Sequence, residues 1–362
     1  MSAKEGHNYA PEGKPRPVVR PGEFIFAAAY YDHGHIHGQI NGLAEAGGTL
    51  KYVYDPDPAR CAPTLQKFPG AKLVDSFARI LDDPAVQLVT TAAVPSDRCA
   101  IGLQVLAAGK DYFTDKSPFT TLDQLAATRE AVKRTKRKYL VYYSERLHVE
   151  SAWHACELVK QGAVGRVLQV LLLAPHRLSK PSRPAWFFDK AKFGGIITDI
   201  GSHQFEQFLA FTGARSARVN FARVENFAHP DKPGFEDFGE ASLTMDSGAS
   251  CYCRVDWFTP AGSHAWGDGR LFVLGTDGML EIRKYMEIAQ PEIQDRIYLV
   301  DDRGEHVIDC RGKIGFPFFG QLILDVLNRT ENAMTQEHAF LAAELSMQAQ
   351  KIADEQRRAN SK

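Results

Sequence analysis

An acid and an imidazole lie four residues apart, directly after a glycine pair, in the segment 194–209. If a helix begins near Thr198, Asp199 and His203 share one face of its first turn. Both side chains could then contact one small molecule, and an imidazole beside a carboxylate can orient a substrate and exchange its proton. The spacing alone equally fits an acid favoured by the helix dipole next to a core histidine.

The residues around this pair indicate how it would be positioned. Gly194 and Gly195 allow the backbone to approach a neighbour or a ligand closely, because glycine has no Cβ. Apolar residues at helical spacing predict a buried face that anchors the helix: Ile196, Ile197, Ile200, Phe205, Phe208 and Leu209. We therefore expect a helix that is held in the core while its N-terminal end stays available for chemistry.

The first half of the chain alternates short apolar segments with helical patterns. Strand-like segments lie at 24–29, 50–54 and 86–91, and this order predicts a parallel, doubly wound sheet of the Rossmann type. Asp55 follows the second strand about twenty residues after the first turn, where a dinucleotide-binding unit holds the adenosine ribose. A carboxylate there accepts hydrogen bonds from ribose hydroxyls and repels a 2′-phosphate. The sequence therefore favours NAD over NADP as the cofactor.

The turn after the first strand departs from the usual dinucleotide-binding sequence. Gly-x-Gly-x-x-Gly is absent, and the glycines Gly34, Gly38 and Gly42 are four residues apart. The alanines at 27–29 can still let the backbone approach a pyrophosphate, and the following helix N-terminus would supply donors and positive potential. We expect residues 30–33 to form an insertion that folds over the pyrophosphate.

The same turn carries a histidine-rich cluster that has a second interpretation. Asp32 is followed by His33, His35 and His37, and an acid with alternating histidines after an apolar strand also occurs in metal-dependent hydrolases built on barrels. No comparable histidines follow the later strands, and one such cluster rarely completes a metal site. We therefore predict no metal site, and the hydrolase remains an alternative.

Composition restricts the class of protein. The chain has 362 residues and a net charge of -1, so no overall field attracts nucleic acid or an anionic membrane. Six scattered cysteines predict a reducing compartment. The polar, proline-rich residues 1–23 predict a flexible tail instead of a signal peptide, and no apolar segment reaches the length of a membrane span. These features predict a cytoplasmic protein.

The second half contains many strand-like segments with few helices between them, which predicts a large, mostly antiparallel sheet. We expect a dinucleotide-binding domain at 24–146 and an α+β domain for substrate binding and oligomerisation at 147–362. Between the strands, Arg177 and Trp186 are candidate substrate-binding residues. A cation and a flat aromatic face suit a sugar or another polyol, whose hydroxyls need partners and whose C–H faces need apolar surface.

Two ordered motifs resemble one enzyme family. The first is a strand, Pro95-Ser96, a helix, a second strand and Asp115-Lys116-Ser117-Pro118, and the second is Gly194-Gly195 through Asp199 and His203. Together they resemble the glucose-fructose oxidoreductase, inositol dehydrogenase and rhizopine catabolism (Gfo/Idh/MocA) family of oxidoreductases, over most of the chain from Phe24 to about Leu280. In place of Asp115-Lys116-Ser117 the family usually has Glu-Lys-Pro. Arg98 lies near a position where the family often has histidine.

The resemblance implies an NAD(P)-dependent dehydrogenase acting on a CH–OH group of a sugar, inositol or related polyol. It implies that Lys116, Asp199 and His203 are catalytic, and that Asp199 and His203 also contact the substrate. The candidate cofactor-binding residues are Tyr31, His33, Gly34, His35, Ile36, Asp55, Pro95 and Lys116. A homodimer or homotetramer through the C-terminal sheet is also implied. A non-catalytic, nucleotide-binding regulatory relative of the same fold remains an alternative.

Overall fold

The computed structural model describes residues 6–13, 16–288, 290, 292 and 294–360. The strands are β1 (Ile25–Ala29), β2 (Thr49–Tyr54), β3 (Lys72–Leu73), β4 (Leu88–Thr91), β5 (Asp111–Asp115), β6 (Tyr139–Tyr142), β7 (Val167–Pro175), β8 (Ala217–Glu225), β9 (Phe238–Met245), β10 (Ser250–Asp256), β11 (Gly269–Gly275), β12 (Gly278–Tyr285), β13 (Gln294–Asp301) and β14 (Gly304–Asp309). The helices are α1 (His35–Glu45), α2 (Ala62–Lys67), α3 (Phe77–Leu81), α4 (Arg98–Ala107), α5 (Leu122–Thr135), α6 (Ser144–Leu147), α7 (Glu150–Lys160), α8 (Lys190–Phe193), α9 (Ile196–Asp199), α10 (Gly201–Thr212), α11 (Pro317–Asn328) and α12 (Gln336–Asn360).

The first compact unit is a Rossmann domain. Its six parallel strands follow the order β3-β2-β1-β4-β5-β6, which is the strand order of dinucleotide-binding folds. Strands β1, β4, β5 and β6 are buried almost throughout, since helices cover both faces of a parallel sheet. The strand order reverses between β1 and β4, and ligands of such sheets bind outside the carboxyl ends of the strands at that point. The predicted parallel sheet is confirmed.

The boundaries of the compact units differ from the predicted domains near the C-terminus. The first unit contains His7–Tyr142 together with Gly315–Ala339, and the second contains Tyr143–Ile314 and the segment from Phe340. The reason is packing: α11 contacts α1, and the Phe319 ring occupies the space beside Gly42, where a Cβ would lie 2.3 Å from it.

The predicted tail, residues 1–23, lies partly outside the described residues. In the part that the structure describes, the Gly13 N–H donates to Glu45 Oε2 at 3.2 Å and the Val18 N–H donates to the Ala46 carbonyl at 3.0 Å. The Gly22 N–H donates to Thr49 Oγ1 at 2.8 Å. These residues therefore run along the end of α1 and the start of β2, where the backbone finds acceptors.

The second unit is built on an eight-stranded sheet in the order β14-β13-β12-β11-β7-β10-β9-β8. Every pair is antiparallel except β7 with β10, which are parallel, so the predicted mostly antiparallel sheet is confirmed. Burial alternates along β7 and β11, as expected for a sheet with one covered face. Helices α7, α9 and α10 contact the sheet.

Three local features complete the fold. Residues 139–146 read from the sequence as the closing strand of the first domain, but the strand ends at Tyr142, because Ser144 begins the short helix α6. All six cysteines are buried free thiols. Among the described residues, no helix combines the length and apolar character needed to span a bilayer.

Candidate active site

The carboxylate of Asp115 organises the carboxyl end of β5. Arg98 Nη2 lies 3.2 Å from Asp115 Oδ2, and the Lys116 N–H donates to Asp115 Oδ1 at 2.8 Å. The Arg98 guanidinium also donates to the carbonyls of Lys116, Ser117 (3.0 Å) and Ala93 (2.7 Å). Arg98 therefore fixes the Asp115 side chain and the carbonyls of Lys116 and Ser117, and the side chain of Lys116 is buried.

Two histidines of the first turn meet the same carboxylate. His33 Nδ1 lies 3.2 Å from Asp115 Oδ2, and His35 Nδ1 lies 3.0 Å from Asp115 Oδ1. Burial alone raises the pKa of Asp115, but the fields of His35 and Arg98 outweigh it and hold that pKa well below its usual value. Burial, and next the field of His35, lowers the pKa of His33 well below its usual value. The structure thus joins an anionic Asp115 to a neutral His33.

The third histidine of the predicted cluster belongs to a different contact. His37 Nδ1 lies 3.4 Å from Thr64 Oγ1, and the His37 ring packs edge-on against Tyr31 with centroids 5.9 Å apart. The set His33, His35 and His37 is therefore not one cluster. Among the described residues, the group that could hold a metal ion is His33, His35 and Asp115, whose ligand atoms lie within 4.8 Å of one another.

Asp55 stands at the carboxyl end of β2, as the sequence predicts. Its Oδ2 accepts a hydrogen bond from the Tyr31 N–H at 2.6 Å and its Oδ1 accepts one from the Asp57 N–H at 2.8 Å, so the carboxylate is buried and fixed. Arg60 Nη1 donates to Asp32 Oδ1 at 2.7 Å and lies 3.9 Å from Asp55 Oδ1. The predicted ribose-binding position therefore combines an acid with a nearby cation.

The first turn of α1 already has acceptors for its N–H groups. The Ile36 N–H donates to the His33 carbonyl at 3.3 Å, and the His37 N–H donates to the Gly34 carbonyl at 3.2 Å. The His35 N–H donates to His33 Nδ1 at 3.3 Å. The Ile36 side chain is fully buried in the core. If a pyrophosphate bound at this helix terminus, the positive end of the helix dipole would attract it more than free N–H donors would.

In the second unit, the glycine pair allows a side chain to cap α9. Gly194 and Gly195 have φ values of +85° and +99°, which favour glycine, and a Cβ on Gly195 would lie 2.2 Å from the Gln350 side chain. Gln350 Oε1 accepts the Ile197 N–H at 2.9 Å, and Glu236 Oε2 accepts the Ile196 N–H at 2.8 Å. These two side chains satisfy the first donors of the helix.

The predicted helix begins earlier than expected and is interrupted once. It starts at Ile196 instead of near Thr198, since the caps fix that end, and Ile200 separates α9 from α10. The His203 N–H bonds to the Ile200 carbonyl at 3.0 Å, so the turn between Asp199 and His203 is locally tighter. Both side chains are buried, and the ring of Tyr143 lies 6.3 Å from that of His203.

A buried glutamate accompanies His203. Glu145 Oε2 accepts a hydrogen bond from Gln204 Nε2 at 2.9 Å, and His176 Nε2 lies 3.4 Å from Glu145 Oε1. Burial alone raises the pKa of Glu145, but the fields of His203 and Lys284 and the contact with His176 outweigh it and lower that pKa. Glu145 is therefore an anion beside the predicted catalytic imidazole.

Lys284, on β12, is the cation of this group. Its Nζ donates to Gln207 Oε1 at 2.7 Å and lies 3.6 Å from Glu145 Oε2. Burial lowers the pKa of Lys284, although the attraction of Glu145 opposes that shift. Gln207 Nε2 in turn donates to the His203 carbonyl at 3.1 Å. The second unit thus contains two buried charges linked to His203: Glu145 through its field and Lys284 through Gln207. The sequence motifs do not reveal either of them.

The remaining predicted residues have different environments. Arg177 Nη2 donates to the carbonyls of Pro260 (3.1 Å), Ser263 (2.7 Å) and Ala265 (3.0 Å). Its Nη2 atom therefore holds a loop, and substrate binding by Arg177 stays a prediction. Trp186 is partly exposed in a short 3-10 helix beside Phe187. Pro95 begins another 3-10 helix after β4 and is buried.

Comparison with known proteins identifies a family model for part of the second unit and a solved structure similar over most of the chain. A family model described as the GFO/IDH/MocA C-terminal domain matches residues 153–281. A crystal structure from Erwinia carotovora atroseptica SCRI1043, described only as that of a proposed oxidoreductase, is 44% identical, covers 91% of this chain and 99% of that one, and has a TM-score of 0.88.

Two curated relatives are more distant. An uncharacterized oxidoreductase of Synechocystis sp. is 24% identical over 63% of this chain, and the match spans 65% of that relative, less than two thirds of its length. The scyllo-inositol 2-dehydrogenase (NAD(+)) of Bacillus subtilis is 23% identical over 69% of this chain and 70% of its own.

Proposed function

This chain belongs to the GFO/IDH/MocA family, and we propose on that basis that it is an NAD-dependent dehydrogenase. Its substrate would be a sugar, inositol or related polyol, with a hydride moving between a carbinol carbon and the nicotinamide. The observation that carries the proposal is the pair Asp55 and Lys116, which follow two parallel strands of a sheet with the dinucleotide-binding order.

The residues present fit a dinucleotide at the carboxyl ends of β1, β2 and β4. Asp55 is held by two N–H donors, and each of its oxygens keeps a lone pair for a ribose hydroxyl. Small residues, Ala92 and Ala93, follow β4 and leave room close to the backbone. Residues of the first turn, including Tyr31 and Gly34, would border the pyrophosphate. When bound, the nicotinamide would accept or supply the hydride.

The choice between NAD and NADP depends on two opposing groups. The Asp55 carboxylate repels a 2′-phosphate, whereas the Arg60 guanidinium, 3.9 Å from Asp55 Oδ1, would attract one. Arg60 also pairs with Asp32 at 2.7 Å, which reduces its availability. We propose NAD as the preferred cofactor, and the scyllo-inositol dehydrogenase among the relatives is named for NAD(+).

We assign three catalytic roles to the chain. His203 would remove the hydroxyl proton of the carbinol, Lys116 would bond the reacting oxygen as its charge develops, and Asp199 would orient the substrate or the imidazole. The environment of His203 supports this role, because the Glu145 anion stabilises an imidazolium that has taken up a proton. Gln207, through its bond to the His203 carbonyl, steadies that turn of α10.

The experiment has two steps. First, the unfolding temperature is measured with NAD, NADP and their reduced forms, since a specific ligand stabilises the protein by mass action. Second, a panel of polyols and sugars is assayed at the absorbance of reduced nicotinamide. Stabilisation by NAD with turnover of at least one polyol is the expected result. Stabilisation without turnover of any panel member would favour a nucleotide-binding regulatory relative, and no stabilisation by any dinucleotide would contradict the proposal.

The open face of the second sheet supports a homo-oligomer. Leu171 and Phe272 are paired neighbours on that face, and Leu274 and Met279 are 46% and 52% exposed. An apolar area of this kind on an antiparallel sheet suits a second copy of the chain. Light scattering of the wild type and of Leu274→Glu, with Leu73→Glu in the first unit as control, tests this. If the Leu274→Glu variant kept the oligomeric state of the wild type, the assignment of this face as the subunit interface would be wrong.

A further inference from the structure

His33, His35 and Asp115 have the composition of a site for a divalent transition-metal ion. Two imidazoles and one carboxylate form the ligand sets of several catalytic zinc sites, in which a fourth position stays open to water or a substrate oxygen. Nitrogen ligands favour zinc-like ions over Mg²⁺ or Ca²⁺, which prefer oxygen. No sequence motif links Asp115 to these histidines, because it lies 80 residues after His35.

The spacing of the donor atoms agrees with this composition. His35 Nδ1 lies 3.0 Å from Asp115 Oδ1, and His33 Nδ1 lies 3.2 Å from Asp115 Oδ2. Zinc–ligand distances of about 2.0–2.2 Å in a tetrahedron place neighbouring ligand atoms roughly 3.3–3.6 Å apart. One donor atom from each of the three residues lies within 4.8 Å of the other two, so the site must contract somewhat around an ion. The planes of the two imidazole rings make an angle of 86°, and the ring centroids are 4.2 Å apart. This arrangement lets both Nδ1 atoms face the same carboxylate.

The hydrogen bonds of His33 are mutually inconsistent. The His35 N–H donates to His33 Nδ1 at 3.3 Å, which requires an unprotonated nitrogen. The same atom lies 3.2 Å from Asp115 Oδ2, and that contact is favourable only if the nitrogen carries a proton. No single neutral tautomer satisfies both contacts. A cation at the shared position would make the contact between Nδ1 and the carboxylate attractive.

The burial of the carboxylate and the solvent exposure of the two histidines also suit a bound ion. Asp115 is fully buried, and both imidazoles reach its carboxylate through their Nδ1 atoms. The side chains of both histidines are 12% exposed, so the position can be reached from solvent. Arg98 acts in the opposite direction: its cation lies 3.2 Å from Asp115 Oδ2 and weakens the attraction of a second cation. We therefore expect weaker binding than at a closed structural zinc site.

We propose that His33, His35 and Asp115 bind one divalent transition-metal ion of the zinc class, with an open position for water or an oxygen ligand. The site lies at the carboxyl ends of β1 and β5, within the first unit. His33 and His35 are also candidate cofactor-binding residues, so Co²⁺ or Zn²⁺ binding is measured without cofactor or polyol, and its outcome does not depend on the proposed dehydrogenase activity. Failure of either proposal leaves the other standing.

The test is a titration of the metal-free full chain with Co²⁺, followed by its visible absorption, and with Zn²⁺ by calorimetry. We expect one equivalent per chain, and a low-symmetry Co²⁺ spectrum of four- or five-coordination. His35→Gln and His33→Gln should each lower the affinity at least about tenfold, as loss of a ligand does. His37→Gln is the matched control, since His37 contacts Thr64 instead.

Two outcomes would overturn the proposal. One is the absence of stoichiometric Co²⁺ and Zn²⁺ binding to the wild type. The other is equal affinity in the wild type, His33→Gln and His35→Gln, which would assign the ion to another position. Asp115→Asn is the third variant, but Asp115 is buried and bonded to Arg98, so this variant could fail to fold. The two histidine variants decide the question without it.

Discussion

Lys284 Nζ lies 3.6 Å from Glu145 Oε2, and both side chains are buried in the second unit. Neither charge can be hydrated there, so each stabilises the ionised form of the other. Lys284 also bonds Gln207, and Glu145 also bonds Gln204. This pair acts on the proposed catalytic imidazole, because the field of His203 is one cause of the lowered pKa of Glu145.

Removing one member of the pair should destabilise the protein more than removing both. Glu145→Gln or Lys284→Met leaves an uncompensated buried charge, and we expect a loss of about 3–5 kcal/mol in the free energy of unfolding. The double variant should recover a large part of that loss. Urea denaturation of the four proteins measures the coupling. Additive losses in the double variant would show that the two groups do not interact.

Asp295 should make stability decrease as pH rises. Burial raises its pKa to about 6, above the unfolded value of about 3.9, so the folded chain holds a proton that the unfolded chain has released. The ionisation of Asp295 has no effect on stability below about pH 4. As the pH rises through about 4 to 6, it lowers the free energy of unfolding progressively, by up to about 3 kcal/mol. Asp295→Asn should remove that part of the pH dependence, while exposed Asp302→Asn should not. Identical pH profiles of unfolding for wild type and Asp295→Asn would refute this.

The proposed catalytic residues should affect turnover more than folding. We expect His203→Asn to lower kcat by about 10²–10⁴-fold, the contribution of a positioned base. Lys116→Met and Asp199→Asn should also lower kcat. His306→Gln on β14, which removes an imidazole that is 40% exposed, is the control. Near-normal turnover in folded His203→Asn protein would remove His203 from the mechanism.

Asp55 should set the cofactor preference. In Asp55→Ala the repulsion of a 2′-phosphate is lost while Arg60 stays, so NAD should bind about tenfold more weakly relative to NADP. Asp57→Ala, whose side chain is 60% exposed, is the neighbouring control. Calorimetric titration with both cofactors gives the ratio of affinities. If the ratio is the same in Asp55→Ala and wild type, the ribose is held elsewhere.

Gly195 should tolerate no side chain. Gly195→Ala places a Cβ at φ +99° and 2.2 Å from Gln350, whose oxygen caps Ile197. We expect a loss of about 2–4 kcal/mol from the clash, the strain and the disturbed cap. Gly162→Ala shares a positive φ of +89° but has open space, and should lose only about 1 kcal/mol. Thermal unfolding compares them, and equal losses would mean that Gln350 moves aside freely.

The sequence determined the parts of the fold that depend on local pattern. The alternation of apolar strands with helical segments gave the parallel sheet of the first unit, and the run of strands after Val167 gave the antiparallel sheet of the second. The acid after β2 and the glycine pair before α9 were also recognisable, because their positions relative to an element are short-range properties. The same pattern failed at residues 143–146, where the apolar segment ends and Ser144 begins a short helix.

The tertiary structure decided which distant side chains meet. Asp115 replaces His37 as the partner of His33 and His35, because β5 lies two strands from β1 in the sheet while α1 turns His37 toward Thr64. The guanidinium of Arg177 is taken by loop carbonyls, which no local pattern reveals. Glu145 and Lys284 form a buried pair for the same reason: charge pairing across 139 residues (284 − 145) is set by strand order and burial, and both arise only when the chain is folded.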